Sequence, residues 1–257
     1  MAQLVTRSVE IDCERSNVVV KSNDIVQKSR FSLSVQEQKM ILFLISKIKP
    51  DDSDFQEYTF SLKELCEVLG ISYNGKNYRD FRHAIQSLAD KSFWVDSESG
   101  SILCRWIAKA KIGTDLTVRI RLDDDLKPYL LALYNQFTTY ELEYILTMRS
   151  KYSIRLYELL KSYSNLGRYD TTVDELKQLL LTPKYPVYKD FRLRVIDPAL
   201  DEINMYTDLQ VDFEPGRTGR RITHLHFFIQ EKSDANLSHA SDARNKILNK
   251  FRNTYKL

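Results

Sequence analysis

One stretch late in the chain, GRRITHLHFFI, combines residue types that bind metal ions with residue types that bind phosphate. His224 and His226 stand two positions apart, so in an extended strand both face the same side, as a pair of metal ligands requires. Arg220 and Arg221 directly precede them, and guanidinium groups are favoured partners of phosphate. The stretch therefore supports two hypotheses: a catalytic metal site, or an ordinary sheet strand beside a phosphate-binding loop.

Nicking of DNA by a tyrosine requires more than a histidine–hydrophobe–histidine triplet. It also needs a further metal ligand and a tyrosine on a nearby helix, usually with a lysine. The other histidines, His83 and His239, are distant in sequence, and Tyr185 with Lys189 forms a spacing that fifteen tyrosines produce easily by chance. The apolar residues that alternate with the histidines predict a core face: Leu225, Phe227 and Ile229. We therefore favour outward-facing histidines on a strand and predict no metal, no other cofactor and no enzymatic activity, with a metal-dependent rolling-circle nickase as a minor alternative.

The bulk composition is that of an ordinary folded protein. Of 257 residues, 43% are hydrophobic and 28% are charged, and the net charge is +3, so only the distribution of charge can argue for nucleic acid. Cys13, Cys66 and Cys104 include no Cys-x-x-Cys pair, which disfavours a zinc ribbon and indicates a reducing compartment. The apolar runs are too short to span a bilayer, and the N-terminus lacks the apolar segment of a signal peptide. We expect a cytoplasmic protein with no membrane partner.

The elements that position these residues form a recognisable order in the first half. Ser34 and Glu37 make a capping box ahead of an apolar run, which predicts a central helix that ends before Pro50. A short strand, a second capping box with its helix, and a longer helix over 77–91 follow, and then two strands separated by Gly113. This order is that of a winged helix-turn-helix domain.

The second half of the chain repeats this order. Residues 138–141 predict a helix start, 151–163 continue a helical pattern, and 172–175 form another capping box. The helix start Tyr-Lys-Asp-Phe-Arg at 188–192 matches Tyr-Arg-Asp-Phe-Arg at 78–82. We therefore predict an α+β fold of two winged helix-turn-helix domains related by a pseudo-two-fold internal duplication.

Charge is segregated along the second half. The stretch 184–194 has four basic residues and one acid, 195–214 has six acids and no Lys or Arg, and Arg217, Arg220 and Arg221 follow without an acid. Cations are thus placed at a helix start and at a hairpin turn, the two parts of a winged helix that approach DNA phosphates. An ordinary solvated face is the alternative.

The helix that starts at 188–192 is the predicted recognition helix of the second half. Simple helical spacing places two of its arginines on different sides of the helix. Arg194 falls opposite the apolar stripe and is predicted to point outward. Arg192 falls near the apolar side, so we predict a packed stem with a free head. Asp197 and Pro198 are predicted to reset the helical register, since Pro suits a first helical turn.

The first half offers two further basic surfaces. Arg79, His83 and Gln86 share one stripe of the 77–91 helix. A single strand over 104–111 is predicted to alternate, with one face carrying Cys104, Trp106, Ala108 and Ala110 and the other carrying Arg105, Ile107, Lys109 and Lys111. Both basic surfaces suit DNA, and both are also compatible with ordinary polar faces.

Two parts of the chain resemble a known family. The run FRLRVIDPALDEIN from Phe191, followed by TDLQV from Thr207 and then GRRI, is similar to the signature of iteron-binding plasmid replication initiators, the RepB/RepE-like family. NDIV from Asn23 and QKMIL from Gln38 resemble that family's N-terminal opening. The resemblance extends over about residues 20–230.

That resemblance implies binding of a monomer to direct repeats (iterons) at a plasmid origin. It also implies a homodimer, formed largely through the first domain, that represses its own promoter at an operator inverted repeat. Host replication initiator and replicative helicase proteins are the further partners it implies. The candidate DNA-binding residues are Lys189, Arg192, Arg194, Arg217, Arg220 and Arg221 in the second domain, and Lys76, Arg79, Arg82, His83, Lys109 and Lys111 in the first.

The predicted segments follow from the duplication and the resemblance together. They are an N-terminal arm (1–19), a first domain that contacts the DNA backbone and dimerises (20–132), a second domain that is the main reader of iterons (133–232), and a basic tail (233–257). The tail either touches DNA or a partner, or is a disordered chain end. A winged-helix transcriptional repressor is the alternative function; tandem direct repeats beside the gene favour the initiator, and a lone palindrome favours the repressor.

Overall fold

The computed structural model describes six stretches of the chain, and these form two domains built on one plan. The described residues are 8–10, 18–49, 51–69, 75–97, 100–233 and 237–245. The elements of the first domain are, in chain order, β1 (Ser8–Glu10), β2 (Val18–Ser22), α1 (Asn23–Gln27), α2 (Val35–Ile45), β3 (Glu57–Ser61), α3 (Leu62–Leu69), α4 (Gly75–Asp90), β4 (Ser92–Ser97), β5 (Gly100–Arg105), β6 (Ile107–Ile112), β7 (Thr117–Leu122) and α5 (Lys127–Leu130).

The second domain repeats the plan with fewer strands. Its elements are β8 (Phe137–Glu141), α6 (Leu142–Leu146), α7 (Lys151–Lys161), β9 (Arg168–Thr172), α8 (Val173–Leu179), α9 (Tyr188–Phe191), a π-helical segment (Arg192–Ile196), α10 (Asp197–Tyr206), β10 (Leu209–Thr218) and β11 (Arg221–Glu231). Residues 237–245 are also helical. Within the described stretches, no helix combines the length and apolar character needed to cross a membrane.

The two domains share a sheet order, which confirms the predicted winged-helix duplication. The order is β3-β7-β6 in the first domain and β9-β11-β10 in the second, with every neighbouring pair antiparallel. In both, the strand before the helix-turn-helix pairs with the second strand of the wing hairpin. In the first domain β1 adds a parallel strand beside β3.

A strand pair between the domains supplies the geometry of a local two-fold axis. β2 and β8 open the two repeats, and they pair antiparallel with Val20 opposite Thr139 at the centre. Equivalent segments that run antiparallel to each other are related by a rotation of half a turn. The register of this pair therefore places the predicted pseudo-two-fold axis between Val20 and Thr139.

Helix α2 lies at the centre of the molecule, as its apolar run predicts. Every residue from Met40 to Ile45 is at most 2% exposed. The helix packs against α3 and α4 of its own domain and against α6 and α7 of the second. The Ser34 hydroxyl accepts a hydrogen bond from the Glu37 amide, and the Glu37 carboxylate accepts one from the Ser34 amide, so the predicted capping box is present.

A helix does begin directly after 138–141, at Leu142 with Glu141 as its N-cap, but the predicted capping pattern is wrong, because these residues form strand β8 and the Glu141 side chain makes no capping bond to α6. Threonine and tyrosine favour strands, and the whole segment pairs with β2. The Thr138 hydroxyl donates to Asn23 Oδ1 at 2.6 Å. A partner strand more than a hundred residues away therefore overrides a local capping pattern.

The single strand predicted over 104–111 is also wrong. β5 ends at Arg105 and pairs with β4, whereas β6 begins at Ile107 and pairs with β7. The chain bends at Trp106, whose ring stacks on Phe93 with centroids 4.4 Å apart. Because the bend resets the alternation, Trp106 and Ile107 are both buried, and the two alanines predicted to share the Trp106 face are exposed: Ala108 and Ala110.

A buried ionic network joins the two domains behind the β2–β8 pair. Lys21 Nζ of the first domain and the Tyr140 hydroxyl of the second both donate to Glu158 Oε1, each at 2.6 Å. Arg155 lies one helical turn before Glu158, 3.7 Å away, and donates to the carbonyls of two first-domain residues: Val26 and Ser29. The junction therefore holds two buried cations around one carboxylate.

The charges in this network oppose the effect of burial on Glu158. Burial alone raises the pKa of a carboxyl, but Lys21 and Arg155 together outweigh it, so the pKa of Glu158 lies below its usual value. Lys21 faces one carboxylate and a second cation, and burial lowers its pKa. The negative charge of Glu158 therefore stabilises both buried cations, Lys21 and Arg155.

Candidate nucleic-acid interface

The second recognition helix is one continuous rod with a wide turn in it. α9 leads into the π-helical segment Arg192–Ile196, and the Asp197 amide donates to the Arg192 carbonyl five residues earlier. Pro198 follows at the start of α10. A proline ring collides with the carbonyl four residues before it in a regular α-helix, and a π turn relieves that conflict. The register change predicted at Asp197 and Pro198 is confirmed.

The wide turn leaves three consecutive side chains exposed: Arg192, Leu193 and Arg194. Arg194 is exposed, as predicted, while Val195 on the next position is buried. Leu193 is 53% exposed between the two arginines. An exposed apolar side chain on a recognition helix can contact a thymine methyl group. Leu193 is not among the residues predicted from the sequence, because the spacing of a regular α-helix gives no reason to select it.

Arg192 does not have the free head that helical spacing predicted. Its Nε lies 3.2 Å from Asp197 Oδ1, and its guanidinium lies over the Phe213 ring at 5.3 Å from the centroid. Both partners belong to the second domain, so the arginine ties the recognition helix to β10. Arg192 keeps an exposed edge, but DNA would have to compete with Asp197 for it.

The wing of the second domain is a long hairpin with a basic tip. Gly219 and Arg220 form a two-residue turn between β10 and β11, and Gly219 has φ +62°, a conformation that favours glycine. Arg217, Arg220 and Arg221 are all exposed. Lys189 is exposed at the start of the recognition helix. The predicted cations of helix start and wing tip are therefore solvent-facing.

The two histidines of the opening stretch have neighbours on the outer face of the second sheet. His226 Nδ1 lies 2.7 Å from Asp170 Oδ1, and His224 Nδ1 lies 2.9 Å from Thr223 Oγ1. A hydrogen bond from His226, reinforced by Arg168, lowers the pKa of Asp170. Across the described stretches, no three His, Cys, Asp or Glu side chains gather as a metal site.

A glycine opposite the histidines gives them a packing role. A Cβ atom on Gly216 would stand 2.9 Å from His226 Nε2 and 3.0 Å from His224 Cβ. The β10–β11 register shifts directly after Gly216. On the other face of β11, the predicted core residues are buried: Leu225, Phe227 and Ile229. The alternation of the strand therefore places the histidines on the face opposite the core, as predicted, and there they pack over the backbone of Gly216.

The recognition helix of the first domain has the predicted two faces. Arg79, Arg82 and His83 are exposed on α4. The opposite stripe is buried and consists of Phe81, Ile85 and Leu88. Lys76 lies in the first turn of this helix, and its side chain is outside the described part of the structure. The helix thus offers cations to solvent on the side away from the core.

The wing of the first domain is less basic than its sequence suggests. Lys109 and Lys111 lie opposite Arg121 and Arg119, so four cations collect on one sheet face. Lys109 pairs with Glu57 at 3.2 Å, however, and Arg121 pairs with Asp124 at 2.7 Å. Lys111 and Arg119, near the hairpin tip, are the members left exposed to solvent without a carboxylate bond among the described residues.

The start of the basic tail is docked on the second domain. Arg244 is buried, ion-paired with Glu143, bonded to the Tyr206 carbonyl and placed over the Tyr144 ring at 4.7 Å. Its charge therefore has an internal role. The rest of the predicted basic tail, from 246 onward, lies outside the described residues.

Two family models match the chain in the order of its domains. Residues 18–161 match the model described as "Initiator Replication protein, WH1", and residues 172–229 match "Initiator Rep protein, WH2". The solved structure of "Pi initiator protein in complex with iteron DNA" superposes with a TM-score of 0.70 at 19% identity, covering 86% of this chain and 100% of that one.

Relatives from Escherichia coli agree with these matches. A "Replication initiation protein" is 24% identical over 206 residues, which cover 76% of this chain. The "PI protein" is 32% identical over 144 residues, which cover 49% of this chain. The matched regions span 64% of the first relative's length and 47% of the second's.

Proposed function

Because this chain belongs to the family of initiator replication proteins, whose two winged-helix domains it matches in order, we propose that it initiates plasmid replication by binding iteron repeats at the origin. Membership makes it a DNA-binding initiator rather than an enzyme. The observation that carries the proposal is the exposed basic set on the second recognition helix and wing: Lys189, Arg194, Arg217, Arg220 and Arg221. Host initiator and replicative helicase proteins are the partners we propose at the opened origin, in the cytoplasm.

The two domains have different tasks in this proposal. The second (133–232) reads base edges with its recognition helix and holds phosphates with its wing. The first (20–132) adds backbone contacts through Arg79, Arg82 and His83, since its wing has fewer cations available. Positive groups at both places suit a single duplex lying across both domains.

Footprinting on the DNA that flanks the gene tests this function. We expect protection of several short direct repeats, each by one protein molecule, with affinity that falls steeply as salt rises. Protection of a lone palindrome, with no direct repeats, would instead assign the chain to transcriptional repressors. A nicked origin carrying covalently attached protein in the presence of Mn²⁺ would contradict the binding-only role.

We further propose that the repressing form is a homodimer made through the first domain. The β4–β5 hairpin exposes Trp94 (56%) and Leu103 (43%), which face each other across the strand pair, and Ile102 (44%) at the next position. Several exposed large apolar side chains on one small hairpin indicate an interaction surface. A second copy of this hairpin is the occupant that a self-repressing dimer requires.

Replacing Trp94 with serine is expected to shift the protein to monomer in sedimentation velocity at concentrations where the unaltered chain is dimeric. The aromatic ring supplies much of the apolar area of the hairpin. Tyr134→Ser, at another highly exposed aromatic residue (85%), is the matched control and should leave the distribution unchanged. Unaltered dimerisation of Trp94→Ser would place the interface elsewhere.

A further inference from the structure

Contacts at the start of α2 and α7 bring two lysines from different domains to one place. The Gln38 side-chain amide donates to the Lys151 carbonyl at 3.2 Å, so the first turns of these helices meet. Glu37, adjacent to Gln38, accepts hydrogen bonds from Lys91 Nζ at 2.7 Å on both oxygens. Lys91 directly follows α4, and Lys151 is the first residue of α7.

A third lysine reaches the same place on the loop before the second recognition helix. The Tyr185 ring packs against the Tyr152 ring with centroids 6.4 Å apart, which holds this loop on the first turn of α7. Lys151 Nζ lies 5.0 Å from the centroid of the same Tyr152 ring. Lys184, next to Tyr185, is exposed. The loop at 182–186 therefore has a definite position beside the first turns of α2 and α7, at the boundary between the domains, which we call the seam.

The charges of these lysines influence one another. Burial lowers the pKa of Lys151, and the nearby positive charges of Lys184 and Lys91 lower it further. Glu37 offsets part of this charge, and in the part of the chain described here neither Lys151 nor Lys184 has a carboxylate bound to it. A cluster that keeps excess positive charge against mutual repulsion gains when an anion binds.

We propose that Lys151 and Lys184, beside the Lys91–Glu37 ion pair, form a phosphate-binding site at the seam between the two domains, and that it holds the backbone of the duplex that spans them. The site rests on the proposed function, since that function places one duplex across both domains. The positions of the two recognition helices indicate that the phosphate belongs to a DNA duplex rather than to a free ion. Lys91 follows the first recognition helix and Lys184 precedes the second, so the seam lies between the two helices that enter the grooves.

The salt dependence of binding measures this site directly. We expect Lys151→Gln and Lys184→Gln each to reduce the slope of log K against log salt by about 0.9, on iteron DNA and on a random duplex alike, because each change removes one phosphate contact. Lys49→Gln, at an exposed lysine beyond the C-terminal end of α2, is the matched control and should leave the slope unchanged. Circular dichroism melting confirms that the variants fold.

The outcomes separate the site from the proposed function. An unchanged slope for both seam variants on both duplexes overturns the site while leaving iteron binding intact. Equal binding of iteron and random DNA by the unaltered chain overturns the proposed function, and the slopes on random DNA still decide the site.

The position of the contact can be mapped with neutral methylphosphonates placed singly along the iteron duplex. We expect one or two positions between the two contacted grooves where neutralisation weakens the unaltered chain but not the doubly substituted K151Q/K184Q chain. Sensitivity that differs between the two proteins only at an end of the duplex would overturn the assignment to the seam. Inorganic phosphate, exchanged for chloride at constant ionic strength, should weaken DNA binding by the unaltered chain and by the double variant equally. A phosphate effect confined to the unaltered chain, with no methylphosphonate position to match it, would assign the site to free phosphate and overturn the duplex contact.

Discussion

Glu158→Gln is expected to destabilise the protein by about 3–5 kcal/mol, the cost of leaving buried charge without its partner. The substitution keeps the size of the side chain but removes the negative charge that faces both Lys21 and Arg155. Urea unfolding measures the loss. The two tryptophans, Trp94 and Trp106, both lie in the first domain, so their fluorescence reports that domain while far-ultraviolet circular dichroism reports the whole chain. We expect the two signals to separate in the variant, because the junction couples the domains.

A surface carboxylate provides the comparison for this experiment. Glu231 is 61% exposed and pairs with Lys161, which also binds Asp208. Glu231→Gln should cost at most about 1 kcal/mol, as exposed ion pairs do. Adding Lys21→Met to Glu158→Gln removes one uncompensated cation and should recover part of the loss. Equal stability of Glu158→Gln and Glu231→Gln would show that the buried network does not hold the domains together.

The same carboxylate gives the junction a pH dependence. The folded pKa of Glu158 lies below its unfolded value, so its contribution is fully present above the unfolded pKa. That contribution disappears as the pH falls through the folded value. The Glu158→Gln variant should therefore lose less stability on acidification than the unaltered chain does.

Arg194→Ala is expected to weaken iteron binding by roughly 1–3 kcal/mol, about 5-fold to 150-fold, and to relax the sequence preference at one base pair. The physical reason is its outward position on the second recognition helix, where no described residue forms an ion pair with it. Fluorescence anisotropy on a set of single-base variants of the iteron measures both effects. Arg192→Ala should behave differently, because Asp197 and Phe213 already hold that side chain and its loss also loosens the helix.

Arg221→Ala is expected to remove a phosphate contact, whereas Arg194→Ala is expected to remove a base contact. The place of Arg221 at the start of β11, beside the wing tip, predicts a phosphate contact, so affinity for all duplexes should fall together and the salt slope should drop by about one. If Arg194→Ala and Arg221→Ala both leave binding unchanged across a salt series, the assignment of the second domain as the reader is wrong. A sequence-specific loss for Arg221→Ala would exchange the roles of the two arginines.

The features that the sequence predicted well are those determined locally. The Thr172–Glu175 capping box formed as its spacing required, since both partners lie within one helical turn. The alternation of β11 and the two faces of α4 followed from the periods of strand and helix. Matching patterns in the two halves then sufficed to predict the winged-helix duplication.

The features that the sequence could not predict depend on distant partners. β8 is a strand because β2 lies beside it, and Arg192 is occupied because Asp197 and Phe213 converge on it. The lysines of the proposed phosphate site also depend on contacts between segments that are distant in sequence. Their positions are set by the Gln38–Lys151 and Tyr152–Tyr185 contacts, which join segments that no local period connects.

The antiparallel pairing of β2 with β8 has a consequence for how copies of the protein would array on DNA. A symmetric dimer reads the same in both directions along a duplex, so it cannot distinguish left from right. Here the two halves around the axis have diverged: one wing has a basic tip, whereas Asp115 lies in the turn of the other. The bound molecule therefore has a direction along the duplex, although a pseudo-two-fold axis relates its two domains. Copies bound to tandem sites would all point the same way, and this common orientation would give an origin a defined direction.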